Sequence, residues 1–599
     1  MDHKADFSTN RRVLFISAIA IGIGAVCSLI AVLLLKTINF FTNLFFYQQF
    51  SLAFRPPSGN HLGWLVLLVP VLGGLVIGLM ARYGSDRIRG HGIPEALEAI
   101  LFNKSLMDPR LAVIKPLSAA ISIGSGGPFG AEGPIIMTGG AFGSIVAQVF
   151  HLTAVERRTL LVAGAAAGMS ATFGTPVAAV LLAVELLLFE WKPRSLVPVA
   201  MASAVAAAIR PLLLGPGPLF PIPSHGPIPF PDLLGAPLVG LLAGLFAVLV
   251  TNAVYKFEDW FHRLPIHWMW WPALGGLAIG VGGFFQPRAL GVGYGVIADF
   301  LNGNMAVSAV AALVLVKGLI WSFSLGSGTS GGVLAPLLIM GSGLGVVEAS
   351  FLPPGAEGLW PLVSMSALLG GVMRSPFTAI LFGLELTRDT GALLPLLIAA
   401  MTAHLVTVLV MKRSILTEKV ARRGFHIFRE YSVDVLERVH VEDVMTRQVV
   451  TLPARMGAWE VVLRYFTGGR KQRGYPLVDG RRRLVGMITP SDLLREPAIS
   501  ETGNRPVGDF VSRKPIVAYP DENCRDIAAR MASEGVGRLP VVERARPGKI
   551  IGIVSRSDLF KPSVKYLEEH DVRETYLLKR VKKTPAKNDK VIQLPVKRA

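Results

Sequence analysis

Glu132 is the single carboxylate in GSGGPFGAEGPIIMTGG (residues 124–140), a run otherwise made of glycine, small and apolar residues. A carboxylate so placed can act as a tethered anion. It occupies an electropositive seat while charged and leaves it when protonated or displaced by a mobile anion. The chemistry implied is competition for a binding site. Other chemistries lack their residues. GSGTSG (326–331) has the spacing of a dinucleotide fingerprint, but it follows no strand and has no acidic residue about 20 positions on. No His/Cys spacing suits a metal, and Cys27 and Cys524 stand too far apart to suggest a disulfide framework.

The elements that must position Glu132 are built for lipid. The chain has 599 residues, is 51% hydrophobic with a mean hydropathy of +0.51, and is 17% charged. Apolar runs long enough to cross a core of about 30 Å recur at 13–36, 62–81, 234–253, 308–323 and 393–410. The stretches 158–170 and 367–373 are too short or too glycine-rich to span alone and predict broken or tilted helices. His267-Trp268-Met269-Trp270-Trp271 reads as an interfacial aromatic belt. From Met411 onward there are 38 Lys and Arg against 23 Asp and Glu, or +15 of the total +19, so only +4 falls on the first 410 residues. The early run lacks a signal-peptide cleavage site, and the Arg11-Arg12 pair with the basic C-terminal region puts both termini in the cytoplasm. The expected location is the plasma membrane, the inner membrane in a bacterium.

The odd carboxylate sits in an internal repeat. GSGGPFGAEGPIIMTGGAFG (124–143) matches GSGTSGGVLAPLLIMGSGLG (326–345) at a constant offset of 202. The offset pairs Gly130 with Gly332, Pro134 with Pro336, Gly139 with Gly341 and Gly143 with Gly345. GTPVAAVLLAVEL (174–186) and RSPFTAILFGLEL (374–386) follow at an offset of 200, with Glu185 and Glu385 in register. Gly/Pro-interrupted apolar segments in two matching halves point to a transport site where helices begin inside the membrane. Such an N-terminus exposes unpaired N–H groups and about +0.5 of charge, which an anion satisfies. The counterpart of Glu132 is Leu334, so only one of the two loops carries its own anion. The duplication of Glu185 and Glu385 favours a shared packing or helix-terminus role.

These residues resemble the CLC family of chloride channels and chloride/proton exchangers. GHGIPE (90–95) stands for the family's GSGIP, GAEGP (130–134) for its GREGP and GVLAP (332–336) for its GIFAP; ILTEKVARRG (415–424) fits the final segment. The resemblance runs from about residue 12 to 560. It implies an α-helical polytopic fold of two inverted repeats and a homodimer with one pathway per subunit. It makes Glu132 the gate, with main-chain amides of Glu132, Gly133, Val333 and Leu334 coordinating chloride and His91, Gly92, Ile93 and Pro94 forming the first anion loop. Chloride is the substrate, and no cofactor, metal or nucleic-acid partner is expected.

Departures from the family pattern bear on mechanism. The family's serine ligand is His91 here, whose imidazole can still donate and makes transport pH-sensitive when protonated. Its tyrosine ligand falls on Leu416, which donates nothing, and the arginine of GREGP is Ala131, which removes positive charge from the outer mouth. Exchangers of the family carry an internal proton-relay glutamate where this chain has Leu186. The sequence therefore favours a voltage- or pH-gated chloride channel, with a chloride/proton antiporter of altered proton path as the alternative. A magnesium transporter is the remoter reading, because its pathway calls for several carboxylates.

The domain plan is a cytoplasmic N-terminus (1–12), a membrane domain (13–413, halves roughly 13–215 and 234–413), a linker (414–433), two similar α/β units (434–494 and 495–561) and a basic tail (562–599) expected to be disordered. The two units resemble a pair of CBS domains, folding as one module. The resemblance assigns Asp492 with Thr489 and Asp558 with Ser555 to the ribose and phosphate of an adenine nucleotide (ATP, ADP or AMP). Ser-Asp before an apolar pair also reads as an ordinary helix cap.

Overall fold

The computed structural model describes residues 11–223, 226, 228–353, 355–424, 436, 439–467, 474–494, 505–511 and 513–562. The first ten residues, most of the linker after Gly424 and the basic tail beyond Pro562 lie outside the described residues. The chain divides into two compact units, one up to Gly424 and one from Leu436.

The first unit is all helical. α1 (Arg12–Tyr47), α2 (Val69–Tyr83), α3 (Ile93–Leu101), α4 (Leu111–Gly124), α5 (Glu132–Val149), α6 (Ala154–Phe173), α7 (Pro176–Leu182, continued by a π-turn over Ala183–Leu188) and α8 (Pro193–Leu214) form its first half. α9 (Phe230–Leu233), α10 (Gly235–His262), α11 (Trp271–Phe285), α12 (Tyr294–Leu301), α13 (Val307–Gly326), α14 (Leu334–Glu348), α15 (Leu359–Met373), α16 (Pro376–Thr387), α17 (Leu393–Val410) and α18 (Ile415–Arg422) follow. Among the described residues six helical stretches are long and apolar enough to cross a bilayer, and five shorter apolar helices accompany them.

The two halves use one packing device twice. A side-chain carbon on Gly139 would lie 2.3 Å from the Gly164 carbonyl oxygen, and one on Gly143 2.2 Å from that of Leu160, so α5 and α6 touch backbone to backbone. In the second half Gly341 would meet the Met365 Cα at 2.7 Å and Gly345 the Trp360 carbonyl oxygen at 2.4 Å, which seats α14 on α15 in the same way. Small residues let helices approach this closely inside a membrane. The halves run in opposite senses. Arg12, at the start of α1, bonds the His151 carbonyl just beyond α5, so α5 ends on the face where α1 begins, called proximal here. Gly78 on α2 packs on Met269, placing the end of α10 proximal, while Gly235 at its start packs on Trp360 and Leu352. α14 therefore ends on the opposite, distal face.

Three expectations are corrected. Of the broken or tilted helix expected at 158–170, the break is absent, because the stretch lies within the continuous 20-residue α6, which is not one of the six stretches long and apolar enough to cross. Thr153 and Glu156 close a capping box at the start of that helix and a left-handed Gly174 ends it. Its alanines and glycines face protein on all sides and need no lipid-facing bulk. α1 does not stop near Lys36, because Asn43 donates to the carbonyls of Asn39, Ser51 and Ala53 (2.9, 3.1 and 2.7 Å) and so satisfies a polar turn within protein. The tryptophans at 268 and 271 are not a lipid belt either. They bracket the Arg89 guanidinium at 4.8 and 5.5 Å from their rings, and of the three tryptophans Trp270 alone is well exposed.

The second unit has two small sheets. β1 (Leu452–Pro453) runs parallel to β2 (Tyr475–Val478), which pairs antiparallel with β3 (Leu484–Ile488) in the register Leu477 to Gly486. β4 (Arg538–Glu543) pairs antiparallel with β5 (Arg546–Ser555), Leu539 opposite Val554. The leading segment of each repeat crosses into the other. The Val441 amide donates to the Glu522 carbonyl and that of Thr446 to Ile553, while Val507 donates back to Met456. Val441 and Val444 accordingly share a core with Ile527, Leu539 and Val554.

Candidate functional site

Three glycine-rich loops meet inside the first unit. Gly130 donates to the Gly332 carbonyl (3.2 Å) and Gly332 to that of Gly130 (2.8 Å); the Gly90 amide donates to Thr329 (3.2 Å). A side-chain carbon on Gly133 would lie 1.9 Å from the His91 carbonyl oxygen, so the first loop touches the second. α3, α5 and α14 begin from these loops, and their N-terminal dipoles converge on one buried place. His91, Gly92, Ile93, Pro94, Glu132, Gly133, Val333 and Leu334, the residues that the resemblance implies, are all buried there. Pro134 and Pro336 fall in the first turn of their helices, where no N–H is needed.

Glu132 is fully buried. Its Oε1 accepts a hydrogen bond from the Tyr294 hydroxyl at 3.3 Å. Oε2 has no partner among the described residues and lies against bare backbone. A side-chain carbon on Gly130 would come within 1.6 Å of it and one on Gly332 within 2.7 Å. The carboxylate thus occupies the slot between the α5 and α14 termini, where a small anion would otherwise sit. His91 Nδ1 is also without a partner among the described residues.

Lys115 holds the first loop. Its Nζ donates to the carbonyls of Ile88 and Gly90 (both 2.7 Å) and to Ser330 Oγ (3.2 Å). Lys317, 202 residues on, donates to the carbonyls of Ala289 (2.9 Å) and Gly291 (2.7 Å). Gly90 and Gly92 have φ of 81° and 87°, and Gly291 and Gly293 have 66° and 83°. GHGI before α3 is therefore repeated as GVGY before α12, a counterpart that brings Tyr294 to the gate. Sequence reasoning missed both lysines and the second loop, although the offset of 202 marks the lysines and one of 201 marks the loop.

Leu416 is fully buried in the first turn of α18. That helix is held beside α3, where Glu95 accepts from Arg423 (2.9 Å) and pairs with Lys419 (3.3 Å). The Tyr255 hydroxyl donates to the Ile415 carbonyl, and Ser414 caps the helix through the Thr417 amide (3.3 Å). The first turn is thus fixed by neighbours, and Leu416 adds no donor.

Glu185 and Glu385 have crossed helix-terminus roles. Glu185 accepts from the Thr378 amide (2.8 Å) and hydroxyl (2.6 Å) at the start of α16. Glu385, on α16, accepts from the amides of Val177 and Ala178 (both 2.9 Å) at the start of α7. Leu186 is buried.

In the second unit the four nucleotide candidates form two matching caps. Asp492 Oδ2 accepts from the Thr489 amide (2.8 Å) and hydroxyl (2.6 Å), and Asp558 Oδ2 from those of Ser555 (2.9 and 2.6 Å). Asp558 Oδ1 also takes Lys561 Nζ at 2.5 Å. Burial works against its charge, yet Lys561 and Ser555 hold the carboxyl below the usual range.

Opposed halves of interrupted helices, with three helix N-termini and one buried carboxylate at their junction, define a polytopic membrane protein. Residues 73–408 match the family described as voltage gated chloride channel, and residues 441–498 and 507–564 match CBS domains. The chain belongs to this CLC family, whose members are channels and transporters rather than enzymes. It is 30% identical over 351 residues to a ClcB-like protein of Ralstonia nicotianae, covering 57% of this chain and 82% of that one. It is 28% identical over 409 residues to the H(+)/Cl(-) exchange transporter ClcA of Klebsiella pneumoniae, covering 66% and 85%. The fold is similar to that of a slow cyanobacterial Cl-/H+ antiporter (TM-score 0.63, 24% identity, 69% of this chain and 99% of that one). It also resembles a eukaryotic CLC transporter (TM-score 0.57, 19% identity, 91% and 98%).

Proposed function

We propose that the chain conducts chloride across a membrane, with Glu132 as the gate. The observation that carries this reading is the seating of the Glu132 carboxylate between the N-termini of α5 and α14, against Gly130 and Gly332. Main-chain dipoles hold a halide without a fixed cation in first contact, which permits fast release. The seat also explains why only one of two matching loops carries a carboxylate, since a single tethered anion suffices to close it.

Passive, voltage- or pH-gated flux is favoured by Leu186 and by Glu185, whose carboxylate is committed to the start of α16. The second reading, chloride/proton exchange, is favoured by relatives named for that activity. The distal face is assigned to the outside and both termini to the cytoplasm on the positive-inside rule, in the plasma membrane. The protein works as a homodimer with one pathway per subunit. In the second unit an adenine nucleotide would engage Thr489, Asp492, Ser555 and Asp558, displacing Lys561 from Asp558 and using the hydroxyls now spent on the caps.

The test is purified protein in liposomes under a chloride gradient, with proton movement followed alongside chloride efflux. Chloride flux without uphill proton movement, and Glu132→Gln that conducts at all pH values, are the expected results. Uphill proton transport moves the assignment to an exchanger. Magnesium flux in place of chloride flux overturns it.

A further inference from the structure

The family's arginine beside the gate is Ala131 here, so positive charge at the distal entrance has to come from elsewhere or be absent. It is present, on other elements. A cavity of about 580 Å³ opens between the end of α1, the 52–58 loop, the end of α8 and the loop before α12, and Tyr294 stands in its wall. Because Tyr294 also bonds Glu132, the cavity and the gate share this residue. Its lining includes Lys36, Arg55, Arg210 and Arg288 against one carboxylate, Asp299, which is paired with Arg288 at 3.2 Å.

Arg210 differs from the other three. It is 8% exposed, near the distal end of α8, and lies against Gly174. Its Nη1 reaches the Gly215 carbonyl only at 3.4 Å, and its Nε has no partner among the described residues. Arg388 adds a second cation nearby, and among the described residues no ion pair or hydrogen bond joins Arg210 to a carboxylate. A guanidinium withdrawn from water, with an unused N–H and no counter-charge, is costly unless an anion reaches it. The adjoining cavity gives an anion room to do so.

We infer that Arg210 forms an anion-binding site in the distal vestibule, ahead of Glu132, which takes small monovalent inorganic anions such as chloride, bromide or nitrate. The inference rests on the proposed anion transport and adds a capture step to it. Guanidinium suits the task because it is always charged and offers directed donors to a weakly hydrated anion. Substituting alanine at 131 while keeping this cation on α8 moves the attraction away from the gate, so an arriving anion is held at the entrance without being pinned beside the carboxylate.

The test uses the full-length protein. Crystals soaked in bromide should give anomalous density at hydrogen-bond distance from the Arg210 guanidinium as well as at the three-loop junction. Arg210→Gln should abolish the vestibule peak and keep the junction peak. In liposomes its half-saturating chloride concentration should rise roughly three- to tenfold, the effect expected of one charge-assisted contact. Arg210→Lys, which keeps the charge without the fork, should fall between. If Arg210→Gln does not fold, the bromide peak in the unaltered protein and the lysine variant decide. Density at the junction alone, or unchanged half-saturation in both variants, overturns this site while leaving the gate intact. Bromide at neither place, with no chloride flux, overturns the transport reading itself.

Discussion

The Tyr294 hydroxyl donates to Oε1 of Glu132 across 3.3 Å, so a residue of the second half holds the gate carboxylate of the first. Phe173 and Phe220 pack edge-on against the Tyr294 ring, with centroids 6.2 and 6.0 Å away, and fix its aim. Tyr294→Phe keeps the ring and removes the donor. A hydrogen bond to a charged acceptor contributes about 1.5–3 kcal/mol, so the seated gate should loosen. Initial chloride efflux at neutral pH should increase several-fold; a rate equal to that of the parent would show that the hydroxyl does not restrain the gate.

Gly130→Ala tests the slot itself. The added carbon would sit 1.6 Å from Oε2 of Glu132, so the carboxylate must leave the seat, while the backbone at 130 is not left-handed and accepts alanine. Efflux should lose its pH dependence as in Glu132→Gln. Retention of the parent's pH profile would mean that the carboxylate has another closed position.

Lys317→Met removes the donor to the Ala289 and Gly291 carbonyls in the loop that leads to Tyr294. Two buried carbonyls left unpaired cost about 1–3 kcal/mol each. The melting temperature of the detergent-solubilised protein should fall by several degrees, with a smaller loss for Lys317→Arg, which can still donate. Equal stability of the methionine variant would indicate that water replaces the ammonium.

The soluble caps carry a pH signature. Asp558 is opposed by burial but favoured more by Lys561 and Ser555, so its carboxyl lies below the unfolded value of about 3.9. A depressed acid contributes stability that is fully present above the unfolded value and fades as pH falls through the folded one. Limited proteolysis of the second unit within the whole protein should therefore accelerate below about pH 4. Asp558→Asn should remove that acid-dependent component and cost about 1 kcal/mol at neutral pH. Identical proteolysis of the two proteins from pH 7 down to 3 counts against the cap.

Much of the fold was legible because membrane helices announce themselves locally. Leu393–Val410 was read to the residue, and the repeat blocks fell on the matched helix starts at Glu132 and Leu334. The continuity of α6 was not legible, for a related reason. Hydropathy reports contact with lipid, whereas its small residues report contact with other helices, and the two give opposite compositions.

The sequence by itself determined where helices had to be interrupted, that two halves matched, and that one carboxylate stood where its counterpart had leucine. Glycine, proline and charge act on their own segment, so their spacing suffices to place them. Only the tertiary structure decided which donor holds that carboxylate, that Glu185 and Glu385 cap each other's half, that Lys115 and Lys317 do the same work in two loops, and that Arg210 faces the distal entrance. Each of these pairings joins elements distant in the chain or depends on which way a helix is turned, and neither leaves a local period in the sequence; the backbone groups and cavities that make the pairings necessary exist only once the halves have packed.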